Sequence, residues 1–358
     1  MRPAMATRRT TSERRAEDGP GRHGDGASPP ALVVSSPLAR APLALASGAY
    51  ALAATLRNLL YDARVLRISR VDARVVSVGN VVAGGTGKTP IVAHLARAAL
   101  ARSRRVAVVS RGYGRRPDQR LNDENSLLVR KIPGASIVES PDRVAGAGSA
   151  VRAGADLVLL DDGFQHRRIH RDADIVLVDA TRPLEEERCL PLGFLREPLG
   201  AALGRATSVV LTRAELVLPA RREALLEALE KLGPTPAVAE TVVEGLSPLG
   251  PGGAGEGPAF LFAGIGNPAA FRRTAGRAGI EIAGFRAFRD HHPYRAADLG
   301  LLAREAAAAG ASRLVTTEKD AVKLEPIAAA AGSMPIAALA VGIRFSSGED
   351  GVLAALLG

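Results

Sequence analysis

The stretch VVSVGNVVAGGTGKTP, residues 75–90, joins a β-branched run to a glycine-rich turn and the pair Lys88–Thr89. The run predicts a strand, and the residues from 88 onward predict a helix. Backbone N–H groups of such a loop, with the positive end of the helix, form a cradle for phosphate. The usual first glycine of the motif is replaced by Val82. We nevertheless predict a P-loop that binds nucleotide phosphates through Gly84, Gly85, Thr86, Gly87 and Lys88, with Mg²⁺ on the Thr89 hydroxyl.

Composition restricts the class of partner. The chain has 358 residues and a net charge of +10, and only five of its 47 cationic residues are lysine. A GC-rich genome would give the same arginine bias, but the charge itself indicates nucleic acid, an acidic membrane surface or a phosphorylated substrate as partner. Four Tyr and eight Phe leave little for base stacking, and no nucleic-acid module is visible. We therefore expect no nucleic-acid partner.

Cysteine and apolar content give two further expectations. Cys189 is the only cysteine, which excludes a disulfide within the chain and a cysteine zinc site and fits a reducing cytoplasm. The run nearest to a membrane span, the uncharged stretch 41–56, is shorter than the roughly 20 residues that span a bilayer. Residues 38–61 predict a helix that either packs on the body of the protein or lies at a membrane surface, with Arg40, Arg57, Arg64 and Arg67 beside headgroups.

The pattern along the chain predicts four segments. Residues 1–37 form a disordered extension, 38–70 a membrane-associated helix, 71–245 a P-loop core domain and 258–358 a smaller α/β domain, after a Gly/Pro-rich linker at 245–257. Short apolar runs alternate with helical segments, which is typical of a doubly wound, mostly parallel sheet of the P-loop NTPase type. We predict strands at 75–79, 106–110, 136–139, 156–160, 174–179 and 207–212, then at 259–263, 281–288, 312–316 and 336–341.

Charged residues follow several of these strands. Asp161 and Asp162 end the run DLVLLDD, so one of them should hold the Mg²⁺ shell, and adjacent strand positions predict different roles for the two. The alternative is a simple turn at the strand end. Ligands of open α/β sheets bind at the carboxyl ends of strands, so Arg111, Arg167, Arg168 and Arg196 are expected to converge on phosphate groups. His291 and His292, beside Asp290, are either structural or part of general base chemistry.

In this order the motifs resemble the tetraacyldisaccharide 4′-kinase family of lipid A synthesis, from about residue 38 to 345. The resemblance rests on RNLLYD (57–62), VGNVVAGGTGKTP (78–90), SRGYG (110–114), DRVA (142–145), LLDDGFQHRRI (159–169), LREPL (195–199), FAGIGNP (262–268), FRDHHPY (288–294) and TTEKDAVKL (316–324). The loop of that family also lacks a glycine at the position of Val82.

The resemblance implies an ATP- and Mg²⁺-dependent kinase at the cytoplasmic face of the bacterial inner membrane, peripheral or held there by its N-terminal helix. Its acceptor would be the 4′-hydroxyl of an acylated glucosamine disaccharide 1-phosphate, and we expect a monomer. By motif, Lys88 is catalytic, Asp142 is the catalytic acidic residue, and either His291 or His292 is its partner. The substrate-binding residues implied are Arg111, Tyr113, Gln165, His166, Arg196 and Glu197.

A competing interpretation is a P-loop switch or partitioning ATPase. The deviant loop of that group has a lysine before the glycine pair, where this chain has Ala83. In TEKD, 317–320, Lys319 directly precedes Asp320, which does not fit the Asn/Thr-Lys-x-Asp spacing that reads guanine. The sequence therefore favours the lipid kinase.

Overall fold

The computed structural model describes residues 37–84, 87–113, 121–182, 184, 188–250 and 253–358. The expectation of disorder over 1–37 falls almost wholly outside these residues, and so do the predicted phosphate ligands Gly85 and Thr86.

One sheet of eleven strands organises the described residues, in the order β3-β2-β4-β1-β5-β6-β7-β11-β10-β8-β9. The strands are β1 (Arg74–Asn80), β2 (Val106–Ser110), β3 (Ser136–Glu139), β4 (Leu157–Asp161), β5 (Ala173–Asp179), β6 (Ser208–Thr212), β7 (Ala237–Pro248), β8 (Ala259–Ala263), β9 (Ile282–Ala287), β10 (Arg313–Thr317) and β11 (Ile336–Ser347). The neighbouring pairs are parallel except β7 with β11. The predicted mostly parallel α/β fold is confirmed.

Helices cover both faces of this sheet. They are α1 (Pro37–Asp62), α2 (Lys88–Leu100), α3 (Asp123–Lys131), α4 (Arg143–Arg152), α5 (Leu199–Leu203), α6 (Pro219–Glu230), α7 (Pro268–Arg277), α8 (Ala296–Ala308), α9 (Glu318–Leu324) and α10 (Glu349–Leu357). Strands β4 and β5 are buried at every residue, as expected of continuous apolar runs covered on both sides. Several helices begin at a side-chain cap, as α3 does at Asn122, whose Oδ1 accepts from Asn125 N at 2.9 Å.

The predicted linker at 245–257 is wrong at its beginning, because β7 continues through Pro248. Its residues pair with β11 along a long antiparallel ribbon, from Val238 opposite Ser347 to Pro248 opposite Ala337, with a register shift between Ala340 and Val341. Local composition predicted a break at these Gly and Pro residues. The backbone hydrogen bonds of the ribbon outweigh that tendency.

The ribbon turns the two groups of parallel strands toward each other. The carboxyl end of β6, Thr212, pairs with Ala239 of β7. The carboxyl end of β10, Thr317, pairs with Leu339 of β11, and Leu339 lies opposite Leu246 of β7. The seven-residue step from 239 to 246 spans about 23 Å at the usual rise per strand residue. Because the two groups run in opposite directions, their carboxyl ends face each other across this stretch of ribbon.

The C-terminal helix packs on the first group of strands. Val352 and Leu356 of α10 belong to the same buried cluster as Ile91 and Leu95 of α2. The side chain of Arg74, at the start of β1, donates to Leu356 O at 2.9 Å. The division into 71–245 and 258–358 stays a prediction, since the sheet is continuous across it.

Helix α1 is attached along one side and exposed along the other. Ser47 Oγ donates to Cys189 O at 2.6 Å, and Asn58 Nδ2 donates to Glu197 Oε2 at 2.7 Å. Its outer side presents exposed leucines at 45, 52, 56 and 59. At Arg40–Asp62 it is long and apolar enough to cross a membrane, with a mean hydropathy of 1.2, whereas the sequence run 41–56 suggested a segment that is too short.

Candidate active site

A cavity lies where the strand ends face each other. It is bounded by the start of α2, by the ends of β4, β6 and β10, and by the ribbon, and its lining includes Lys88, Thr89, Glu124, Asp161, Thr212, Asn267, Lys319 and Val341. The predicted nucleotide residues therefore share one cavity with residues from the C-terminal part of the chain.

The P-loop residues that the structure describes have the geometry the motif requires. Gly84 and Gly87 have φ of 108° and 77°, a backbone region that favours glycine. Gly87 precedes α2, so Lys88 and Thr89 stand in its first turn. Lys88 Nζ lies 3.4 Å from Asp162 Oδ1, which fixes the ammonium beside the end of β4.

Asp161 and Asp162 differ in surroundings. Asp161 is buried at the end of β4, and none of the described residues forms a hydrogen bond with its Oδ1. Burial, with a contribution from the charge of Glu124, raises the pKa of Asp161 to about 7. Asp162 follows in the left-handed region with φ of 56°, and its carboxylate accepts from Arg196 Nη1 at 3.0 and 3.1 Å. Burial raises the pKa of Asp162, but Lys88 and Arg196 outweigh it and hold the pKa below its ordinary value.

These residues fit a magnesium ion held partly by nucleotide and water. Among the described residues the buried Oδ1 of Asp161 has no hydrogen-bond donor, and Thr89 lines the same cavity. Among the described residues no group of three or more His, Cys, Asp or Glu side chains could hold a metal. Mg²⁺ commonly keeps several waters and binds through one or two protein oxygens plus phosphates, so this donor set suffices.

A second network joins the LREP loop to the residues after β4. Gln165 Nε2 donates to Asn80 O at 2.9 Å, and Arg196 Nη1 donates to Gln165 Oε1 at 3.2 Å. The side chain of Glu197 is 0% exposed and pairs with Arg205 at 2.7 Å. Glu197 was expected to contact substrate. The structure places it inside this network instead, where it positions Gln165 and anchors Asn58 of α1.

The remaining predicted residues on this side form a basic group around His166. Burial, and after it the charges of Arg143 and Arg168, lower the pKa of His166. Its buried Nε2 has no hydrogen-bond partner among the residues that the structure describes. Arg111 is exposed, and its charge, after burial, contributes to lowering the pKa of the buried Arg143. Arg167, by contrast, pairs with Asp62 of α1 at 2.6 Å and holds the helix to the body.

Asp142 stands at the edge of this basic group. Its Oδ1 accepts from Val144 N at 2.9 Å and Ala145 N at 3.3 Å, so it caps α4. Arg168 Nη2 lies 3.8 Å from its Oδ2. These backbone N–H groups, Ala145 first, lower the pKa of Asp142. Among the contacts of the described residues, none joins Asp142 to His291 or His292, and their pairing stays a prediction.

The two histidines have different surroundings. His292 stacks on Phe288 with ring centroids 4.5 Å apart, and its Nε2 lies 3.2 Å from Asp298 Oδ2, within the aromatic packing around Tyr294. His291, with φ of 60°, lies 3.3 Å from Lys319 Nζ through its Nε2. The ring of Tyr113, which is exposed, is 6.4 Å from that of His291 and meets it edge-on. Of the two histidines, His291 is the one tied to a residue that lines the cavity.

Sequence reasoning missed most of the residues that line the cavity, several of them charged. Arg213 follows β6 and Lys131 ends α3, and neither belongs to a quoted motif. Glu124 lies at the start of α3, and Lys319 lies in the quoted motif TTEKDAVKL. Arg213, with φ of 57°, pairs with Asp179 and approaches Gly87 of the P-loop. The conspicuous position of Lys319 in a quoted motif was the one available signal.

Comparison with known proteins identifies the family. The chain matches the family described as LpxK, tetraacyldisaccharide-1-P 4′-kinase, over residues 39–358. It belongs to this family. A tetraacyldisaccharide 4′-kinase of Anaeromyxobacter dehalogenans (strain 2CP-C) is 41% identical over 342 residues, covering 89% of this chain and 90% of the relative. One from Geobacter metallireducens is 39% identical over 327 residues, covering 84% and 94%.

A solved structure is similar as well. The crystal structure of the "apo" form of LpxK from Aquifex aeolicus in complex with ATP superposes with a TM-score of 0.66 at 28% identity, covering 88% of this chain and 98% of that chain. The resemblance drawn from the motifs is therefore confirmed, and the competing switch or partitioning ATPase is not favoured.

Proposed function

We propose that this protein transfers the γ-phosphoryl group of ATP to the 4′-hydroxyl of a tetraacylated glucosamine disaccharide 1-phosphate, giving the 4′-phosphorylated lipid. As a member of the 4′-kinase family it is an ATP-dependent kinase. The observation that supports the site is the shared cavity, in which Lys88 and Thr89 at the start of α2 meet the buried carboxylate of Asp161.

The P-loop side supplies electrostatic stabilisation. Phosphoryl transfer passes through a transition state with charge spread over the transferring oxygens, so catalysis is mostly positioning and charge neutralisation. Lys88, held by Asp162, would face the β- and γ-phosphates. Asp162 is itself held by Arg196, so the ammonium has a fixed position before nucleotide binds.

Thr89 and Asp161 would hold Mg²⁺, which neutralises phosphate charge when bound. Asp161 is protonated below about pH 7 without a cation because its pKa is raised to about 7. Below that pH the carboxyl would have to lose a proton to hold the ion, which would couple nucleotide binding to proton release at this residue.

The acceptor side offers positive charge and two candidate groups for general base chemistry. The charges of Arg143 and Arg168 act on His166, and that of Arg111 acts on Arg143, so this basic group would suit a phosphorylated sugar. Asp142, beside Arg168, would take the proton of the sugar hydroxyl, and His291 would act with it across the cavity. Tyr113, Gln165 and Arg196 would contact the disaccharide.

Membrane attachment would come from α1. Its exposed leucines and flanking arginines suit a helix lying in or on an anionic inner-membrane surface, on the cytoplasmic side, with the protein acting as a monomer. Because Asn58 and Asp62 of α1 bind Glu197 and Arg167, the helix is fixed relative to the acceptor side.

The central experiment incubates the purified full chain with γ-labelled ATP, Mg²⁺ and the disaccharide 1-phosphate precursor. Label should appear in the lipid fraction. A matched acceptor already phosphorylated at the 4′ position should take up none. Release of labelled phosphate without lipid labelling would support the switch ATPase instead.

The role of Asp142 can be separated from its role as a cap. Asparagine caps helices about as well as aspartate, so Asp142→Asn keeps α4 while it removes the charge. General base catalysis contributes about 10² to 10⁴-fold, and we expect a loss of turnover in that range with little change in ATP affinity. If Asp142 and His291 act as a unit, Asp142→Asn/His291→Ala loses little more than the worse single variant. Unchanged turnover in Asp142→Asn would leave it only a capping role.

A further inference from the structure

Lys319 is a charged residue of the cavity that the proposed reaction does not use. Its side chain is 16% exposed and lies at the start of α9. Its Nζ lies 3.0 Å from Glu124 Oε1 of α3, 3.4 Å from Asp290 Oδ1 and 3.3 Å from His291 Nε2. Two separate parts of the chain, Glu124 of α3 and the adjacent pair Asp290–His291, therefore meet at one ammonium group.

The two carboxylates decide the protonation state of Lys319. Burial alone would lower its pKa, but Glu124 and then Asp290 outweigh burial and raise it. A protonated lysine has three donors and no acceptor. The contact with His291 Nε2 can therefore be a hydrogen bond only if that nitrogen carries no proton and accepts.

We propose that Lys319 is a positioning residue that holds His291 in the neutral tautomer with its proton on Nδ1 and Nε2 accepting from the ammonium group. The second ring nitrogen, Nδ1, then carries the proton and is a fixed hydrogen-bond donor. The backbone supports the same orientation, since His291 N donates to Gly264 O at 3.1 Å and to Asp290 Oδ1 at 3.0 Å.

Removal of the ammonium should reverse the tautomer. Besides the ammonium group of Lys319, the carboxylate of Asp290 also lies near Nε2, with its Oδ1 3.9 Å away. Without the competing cation, a proton on Nε2 would allow a hydrogen bond to this acceptor. Lys319→Met should therefore move the proton of His291 from Nδ1 to Nε2, in whole or in part.

The chain provides a matched control in Lys131. Its Nζ lies 2.8 Å from Glu318 Oε2, so it also joins α3 to α9, but its described contacts do not include His291. Lys131→Met removes a comparable ion pair between the same helices and should leave the tautomer of His291 unchanged. Lys319→Arg keeps a cationic donor and should retain the Nδ1–H form.

The test uses the full-length protein with ¹⁵N-labelled histidine at about pH 8, where an ordinary imidazole is neutral. His291→Gln identifies the ring signals by their loss. We expect an unprotonated Nε2 in the wild type and in Lys131→Met, and a protonated Nε2 in Lys319→Met. A proton on Nε2 in the wild type, an unchanged Lys319→Met spectrum, or the same change in Lys131→Met would each overturn the proposal.

The catalytic consequence rests on the proposed function. If His291 acts in phosphoryl transfer, Lys319→Met should lower kcat by about 10-fold or more. General acid–base groups contribute at least about 10²-fold to the rate, and a proton on the wrong ring nitrogen removes only part of that contribution. The KM for ATP should stay within about twofold, since the P-loop is untouched. Failure of the wild type to label lipid would remove the proposed function, whereas the spectra decide the role of Lys319 independently.

Discussion

At the scale of single residues, the site combines a fixed positive charge with a carboxyl group kept neutral by burial. Lys88 is held at 3.4 Å from Asp162, so it is oriented before ATP arrives. Asp161, one residue earlier, has a buried oxygen with no hydrogen-bond partner in the part of the chain that the structure describes. Each arrangement predicts a measurable effect of a single substitution.

Lys88→Ala should nearly abolish transfer while the protein stays folded. The ammonium neutralises charge that grows in the transition state, and loss of such a stabiliser costs about 3 kcal/mol or more, roughly 10²-fold in rate. Turnover with labelled ATP and lipid measures the effect. Lys231→Ala, at an exposed lysine after α6, is the control and should be unchanged. Wild-type turnover in Lys88→Ala would contradict the P-loop assignment.

Asp161 should make the free protein less stable as the pH rises. Its folded pKa of about 7 lies above the ordinary 3.8, so the folded state binds the proton more tightly than the unfolded chain. The stabilisation is complete below about pH 4 and is lost as the pH passes through 7, by up to about 4 kcal/mol at 1.36 kcal/mol per pKa unit. Denaturant unfolding without nucleotide at pH 5 and pH 8 should show about 3 kcal/mol of this loss, and a smaller change in Asp161→Asn. The same pH dependence of the unfolding free energy in the wild type and in Asp161→Asn would refute this role of Asp161.

At the scale of elements, α1 exposes a row of leucines that no described part of the chain covers. Leu45, Leu52, Leu56 and Leu59 are 77%, 69%, 55% and 57% exposed, and their spacing places them on one side of the helix. A monomeric protein in water gains nothing from such a row, whereas a membrane surface would bury it.

Replacement of Leu52 and Leu56 by aspartate should therefore reduce binding to anionic vesicles, because it places charge where the helix would enter the membrane. Co-sedimentation measures this, and ATP affinity should be unchanged because both residues are far along the chain from the P-loop. Leu301→Asp, at an exposed leucine of α8, is the control and should bind vesicles normally. Equal sedimentation of all three proteins would remove α1 from membrane binding.

At the scale of the whole molecule, the continuous sheet and α10 connect parts that the sequence separates. Leu356 is 0% exposed and packs in the cluster of α2, although it lies at the other end of the chain. The two groups of strands share the β7–β11 ribbon. We infer that the two groups depend on each other for stability.

Leu356→Ala should lower the free energy of unfolding by about 2–5 kcal/mol, as expected for a buried leucine truncated to alanine. Hydrogen exchange followed by mass spectrometry should show β1 and β10 losing protection together in denaturant, because the sheet is continuous. Leu218→Ala, at a leucine that is 76% exposed, should change stability by less than about 0.5 kcal/mol. Separate loss of protection at β1 and β10 would show two independent units.

The sequence by itself determined the features whose causes are local. The P-loop needs a strand, glycines with positive φ and a helix within some fifteen residues, all of which are visible in 75–90. The fully buried strands β4 and β5 follow from continuous apolar runs. The order of motifs was enough to indicate the family, because each motif is a short contiguous string.

Only the tertiary structure decided what depends on partners distant in the chain. Gly245 and Pro248 lie in a strand because β11 supplies their ladder, Glu197 is buried because Arg205 and Asn58 satisfy it, and Lys319 meets Glu124 only where α9 packs against α3. Hydrogen bonds and ion pairs of this kind form between surfaces that the folded sheet brings together, so no local pattern of residues records them.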